Sequence, residues 1–112
     1  MKRLNFYPIY EDILRERRKT TTLRIGNRES FETGDVAILT IGWDYENSIT
    51  LHHVRIECVY TKRVDTLDAS DLQGESPDCS TAEAAAMVVG CVYRTVLKAT
   101  DELTVVKFVH LP

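Results

Sequence analysis

Three β-branched, largely apolar runs commit the middle and the end of this 112-residue chain to a sheet. Val36 to Trp43 is almost wholly apolar, the signature of a strand covered on both faces and therefore central. Ile49 to Tyr60 follows after a turn over Asp44 to Ser48 and is long for a strand. Its apolar positions include Leu51, Val54, Ile56 and Cys58, and the change of parity between Leu51 and Val54 predicts a bulge. Leu103 to Leu111, LTVVKFVHL, is a closing strand after the Thr100-Asp101-Glu102 turn. A shorter β-branched run, Thr20 to Ile25, adds another strand. Thr33-Gly34-Asp35 is a turn signal, and Val64 to Leu67 reads as a short strand or a turn.

Two helices are expected between these strands. Over residues 8–18, Pro8 suits a first helical position, and Tyr10, Ile13 and Leu14 make one apolar stripe. Glu11 and Asp12 lie near the positive helix end, with Arg17 and Arg18 near the negative one. Ser80-Thr81-Ala82-Glu83 fits a capping box, so a second helix is expected from Thr81 to about Leu97. Ala85, Val89, Val92, Tyr93 and Val96 would share its face. Gly90 and the β-branched residues also allow a helix to Gly90 followed by a strand. No βαβ unit repeats, so the expected class is α+β: five or six mostly antiparallel, curved strands with about two helices. The length suits a single domain over 1–112.

The charge is uneven. The formal total is −3, yet residues 1–28 hold eight bases and three acids, and 65–83 holds six acids and no base. Such a balance excludes a protein that coats duplex DNA, and allows a small anionic ligand at the N-terminal patch. A merely solvated basic face fits the same charges. Cys58, Cys79 and Cys91 are odd in number and widely spaced. They suggest neither a disulfide framework nor a zinc site, and a reducing cytoplasm is the expected location. His52 and His53 are adjacent on a strand and so face opposite ways, which argues against a metal site. No apolar run approaches the length of a membrane span, and the N-terminus lacks the apolar core of a signal peptide. Neither a cofactor nor a membrane partner is expected.

The densest polar cluster, Arg17-Arg18-Lys19-Thr20-Thr21-Thr22-Leu23-Arg24, spans the junction of the first helix and the first of these strands. In an extended chain Thr20, Thr22 and Arg24 share a face. Lys19 reaches Thr22 only if the chain bends at the helix exit. A lysine desolvated beside Arg24 has a lowered pKa and can act as a base toward a threonine hydroxyl. Asp65, Asp71 and Glu75 are the acids available for a leaving group, and spacing alone leaves Thr20 and Thr21 open as nucleophiles.

The pattern F-x(3)-Y-x-D-I-L-x(4)-K-T-x-T-x-R, from Phe6 to Arg24, resembles the start of an ASCH domain of the PUA-like superfamily. The likeness continues through Phe31-x-x-Gly34-Asp35-Val36, Asp65-Thr66-Leu67 and the closing strand Val105 to Val109. It is nearest to the small bacterial N4-acetylcytidine amidohydrolases. The resemblance implies a PUA-like β-barrel with the 8–18 helix packed across one end. It implies Lys19 as proton acceptor, Thr22 as nucleophile and Glu75 as proton donor, with Arg24 at the substrate; Phe6 and Tyr10 are the aromatics expected beside it. The substrate would be an N4-acylated cytosine nucleoside. The alternative, ranked second, is a binding module for single-stranded or modified RNA, or for a nucleotide, without turnover, with Phe6, Tyr7, Tyr10 and Trp43 available to stack on bases.

Overall fold

The computed structural model describes residues 1–112. Five strands make one sheet: β1 (Arg3–Phe6), β2 (Thr21–Arg24), β3 (Val36–Ile41), β4 (Ile49–Arg63) and β5 (Glu102–His110). Their spatial order is β1-β3-β4-β5-β2. β1 runs parallel to β3, and the other neighbours are antiparallel. A 3-10 turn over Pro8–Tyr10 leads into α1 (Glu11–Arg15); α2 (Ala69–Leu72) is a single turn, and α3 (Ala82–Tyr93) is the one long helix. The class is the α+β one expected, with a curled, mostly antiparallel sheet. The sheet remains a half-barrel, because β1 and β2 share no ladder and form its two free edges. No helix is long and apolar enough to cross a membrane.

Two bulges produce the curl. Leu39 faces His52 and Thr40 faces Thr50, which leaves Leu51 as the extra residue where the parity change in the sequence falls. A second slip, with Ile56 on Phe108 and Cys58 on Lys107, leaves Glu57 extra. Bent twice, β4 pairs with β3 at one end and β5 along the rest. Alternate residues of β5 feed two cores. Val106 and Phe108 join Leu4, Leu14, Leu39 and Ile56, while Leu103 and Val105 join Leu23, Leu72, Ala85 and Val89. That two-sided burial explains the continuous apolar run of the closing strand. Each fully buried aliphatic or aromatic side chain contributes about 1.5–3 kcal/mol.

The structure corrects several sequence expectations. Arg3–Phe6 is a strand, with Leu4 and Phe6 buried and Arg3 exposed, where the sequence reading places none. The first helix ends at Arg15 instead of residue 18, because Arg17 turns left-handed (φ 62°) and Arg18 N–H donates to the Ile13 carbonyl. Trp43 falls beyond β3 and is 71% exposed. Val64–Thr66 is a 3-10 turn. Ser80 ends the preceding turn in helical geometry, so Thr81 is the residue that caps α3, its hydroxyl accepting from Ala84 N–H. That helix stops at Tyr93, short of Leu97, with Arg94 left-handed and Thr95 N–H donating to the Gly90 carbonyl. A Cβ at Gly90 would sit 2.7 Å from the Thr95 carbonyl oxygen, so glycine permits the chain to fold back there. Val96 therefore leaves the helix and is 87% exposed.

Candidate active site

The curl brings the two sheet edges toward each other, and a cavity of about 410 Å³ opens between them. Phe6 from β1, Thr22 and Arg24 from β2, and Lys19, Tyr10 and Glu75 all line it. Trp43, Tyr45 and one face of α3 complete the wall. Period-two geometry accounts for Thr22 and Arg24 sharing the cavity side of β2. The Arg24 guanidinium donates to the Asn5 carbonyl (2.7 Å) and lies over the Phe6 ring, bridging the two edges.

Glu75 reaches the cavity through a turn that grips the start of β2. The Gly74 carbonyl accepts from the N–H groups of both Thr20 and Thr21, and the Thr21 hydroxyl donates to the Gln73 carbonyl. Asp68 and Asp71 close a capping box on α2, and Asp71 also accepts from the Tyr60 hydroxyl and the Lys62 ammonium. The Lys107 ammonium donates to Ser70, Asp71 and Gln73 carbonyls. Asp71 is thus a strut for this segment, and Asp65 is an exposed partner of Arg63. Of the three acids the sequence leaves open, Glu75 is the one that lines the cavity.

Lys19 and Glu75 form a buried ion pair, their side chains 3% and 4% exposed. Lys19 also donates to the Ser76 hydroxyl (2.8 Å), and Glu75 Oε1 accepts from Ser76 N–H and Oγ. The lysine ammonium lies 5.5 Å from the Phe6 ring centroid and 5.2 Å from that of Tyr10. Burial pushes the Lys19 ammonium down to about 7, with Cys79 and Asp78 opposing and Arg24 assisting. Contact with the Glu75 carboxylate favours the charged amine and opposes that shift. Lys19 makes no hydrogen bond to Thr22; its amine is engaged by Glu75 and Ser76. Every fully buried polar side-chain atom has a partner. The Thr22 hydroxyl has none and lines the cavity, so it opens into that space. Burial raises the Cys79 thiol, which also lines the cavity, to about 12, so it stays protonated near neutral pH.

Sequence reasoning missed Asn5 and Tyr45, which line the cavity, and buried Ser76, which bonds to both Lys19 and Glu75. A Ser-Pro step after Glu75 is the one local signal for Ser76, since it marks the turn there. Tyr7 and Trp43, with ring centroids 5.0 Å apart, stand at the mouth.

Behind the cavity, His110 Nε2–H donates to the Lys19 carbonyl (2.7 Å), so its Nδ1 accepts from His52 Nε2–H (2.7 Å). Burial lowers both imidazoles, and Arg17 adds to each; His53 and Arg15 also act on His52. Unfolding therefore takes up protons, and this contribution to stability is complete above the ordinary value of 6.5 and lost as pH falls below it. Acidification from about pH 7.5 to about pH 5 is expected to lower the melting temperature, and His52→Gln to flatten that dependence. A scan of melting temperature against pH checks this.

No family model matches the chain, and no curated protein matches it either. Among solved structures, the chain is similar in fold to the crystal structure of protein EF3133 from Enterococcus faecalis V583, described by the family model DUF984. The TM-score is 0.68 at 16% sequence identity, over 99% of this chain and 81% of that one. The likeness establishes a shared half-barrel architecture.

Proposed function

We propose that this chain is a single ASCH-like domain of the PUA-like kind whose cavity hydrolyses N4-acylated cytosine nucleosides. The observation that supports this best is the convergence of Lys19, Thr22, Arg24 and Glu75 on one cavity, from segments more than fifty residues apart. In the buried Lys19–Glu75 pair an amine and a carboxylate are in direct contact, so a proton can pass from one to the other. With the proton on Glu75, the amine is a free base and the carboxylic acid a donor, which is the state the reaction needs.

In that state Thr22 Oγ attacks the acyl carbonyl carbon while Lys19 Nζ takes the hydroxyl proton. Arg24, two residues along the same strand face, holds a substrate oxygen away from the reacting carbon. Collapse breaks the carbon–N4 bond as Glu75 delivers its proton to N4, and cytidine leaves. Water then attacks the threonine ester as Glu75 takes back a proton from it, Lys19 returns its proton to Oγ as the carbon–Oγ bond breaks, and the carboxylic acid leaves. Phe6 and Tyr10 form the apolar wall against which the base rests.

Incubation with N4-acetylcytidine, followed by chromatography, is expected to show cytidine. Glu75→Gln is expected to lower turnover by about a hundredfold while changing substrate affinity little, since an amide cannot supply the proton. One observation favours a second reading, a nucleotide- or RNA-binding module without turnover: the Lys19 amine is bonded to Glu75 and Ser76 and not to Thr22. Binding of cytidine without release of cytidine from any acylated form would establish that reading.

A further inference from the structure

The charges around the cavity do not balance. Lys19 is matched by Glu75. Asp44, at the mouth, accepts from the backbone and side chain of Asn47 within its own turn. Arg24 and Arg28 also line the cavity, and neither takes part in any ion pair of the molecule. Glu29 acts on Arg24 only from beyond ion-pair distance. Arg24 is half-buried between the sheet edges, with one donor on the Asn5 carbonyl and its face on Phe6. A guanidinium has five N–H donors in a planar fork, so most of those on Arg24 remain for a ligand. An enclosed cation without a counter-ion is costly to desolvate, and a bound anion removes that cost. Among the lining residues Lys19, Arg24 and Arg28 face Asp44 and Glu75, with Asp78 and Glu29 acting on Lys19 and Arg24 from outside the lining, so it is the two unpaired guanidiniums, and not net charge, that call for an anion.

We propose that the ligand of this cavity carries an anionic group, a phosphate or a carboxylate, held by Arg24 with Arg28 at the mouth. The proposal rests on the reading of the cavity as a cytosine-nucleoside site and names a further feature of its substrate. Thr22 and Arg24 are two residues apart on one strand face and line the same cavity, so the anion and the reacting carbonyl belong to one ligand. A nucleotide phosphate or a carboxylate at the far end of the acyl chain meets that requirement. Arginine suits either through paired, charge-assisted hydrogen bonds.

The test is equilibrium binding, read by quenching of Trp43, the single tryptophan, which stands at the mouth. Cytidine 5′-monophosphate is compared with cytidine on the wild-type protein. N4-succinylcytidine is compared with N4-acetylcytidine on Thr22→Ala protein, which holds acylated ligands without consuming them. The anionic member of at least one pair is expected to bind about tenfold tighter or more at low salt, the advantage shrinking as salt is added. Preference in the first pair places the anion on the nucleotide, and preference in the second places it on the acyl group. Arg24→Gln should abolish the preference. Because Arg24 also ties the sheet edges together, Arg28→Gln serves as a second variant and should reduce the preference without changing the melting curve. Equal affinity within both pairs overturns the proposal. Anion preference without cytidine release from any acylated ligand rejects the hydrolase and leaves the anion site. Cytidine release from N4-acetylcytidine with no anion preference does the reverse.

Discussion

Lys19→Met is expected to lower the release of cytidine from N4-acetylcytidine by about a thousandfold, and Thr22→Ala by at least as much. The two losses have different physical companions. The Thr22 hydroxyl makes no hydrogen bond and opens into the cavity, so its removal should leave the melting temperature nearly unchanged. Lys19 is the partner of a buried carboxylate, so methionine there strands the Glu75 charge, at a cost of about 3–5 kcal/mol. The double variant Lys19→Met with Glu75→Gln removes both charges and should recover most of that stability while remaining inactive. Initial rates and thermal melts on the three proteins check this. Recovery of activity along with stability in the double variant would show that the lysine serves the fold and not the reaction.

Gly74→Ala is the second large effect, and it acts on stability and site together. Gly74 has φ +86°, where an L side chain is strained, and a Cβ there would lie 2.2 Å from Thr20 Oγ1 and 3.1 Å from Thr21 Oγ1. The same residue's carbonyl accepts from both threonine N–H groups, so the turn cannot retreat without releasing the start of β2. Backbone strain of about 1–2 kcal/mol and overpacking of about 1–3 kcal/mol add to a loss of roughly 3 kcal/mol. Gly34→Ala is the control: it has φ +92° and open space around its Cβ position, so strain alone of about 1 kcal/mol is expected. Urea denaturation should separate the two variants. Turnover should fall in Gly74→Ala alone, because Glu75 is the next residue.

The sheet was legible where periodicity speaks for itself. β3, β4 and β5 are β-branched and apolar over long runs, and the bulge at Leu51 follows from a change of parity that no regular strand tolerates. Strand β1 was not legible, because four residues headed by Arg3 carry too short an alternation and gain their partners from β3, more than thirty positions away. Helix ends were misplaced for a similar reason. Arg17 and Arg94 adopt left-handed geometry usually given to glycine, so nothing in their side chains announces a stop. At the site, Thr22 and Arg24 follow from strand period, whereas the pairing of Lys19 with Glu75 depends on the Gly74 turn docking on β2. Spacing alone left Asp65 and Asp71 equal to Glu75. Tertiary contacts separate them, since Asp71 is spent on Tyr60 and Lys62 and Asp65 on Arg63.

The site of acylation during the first turnover tests the threonine mechanism most directly. Protein in excess over N4-acetylcytidine is quenched with acid as cytidine appears, and its peptides are mapped by mass. The mechanism places one acetyl group on Thr22 and none on Thr20, Thr21 or Cys79. An acetyl group on any of those three, or cytidine released by Thr22→Ala protein at the wild-type rate, would contradict it.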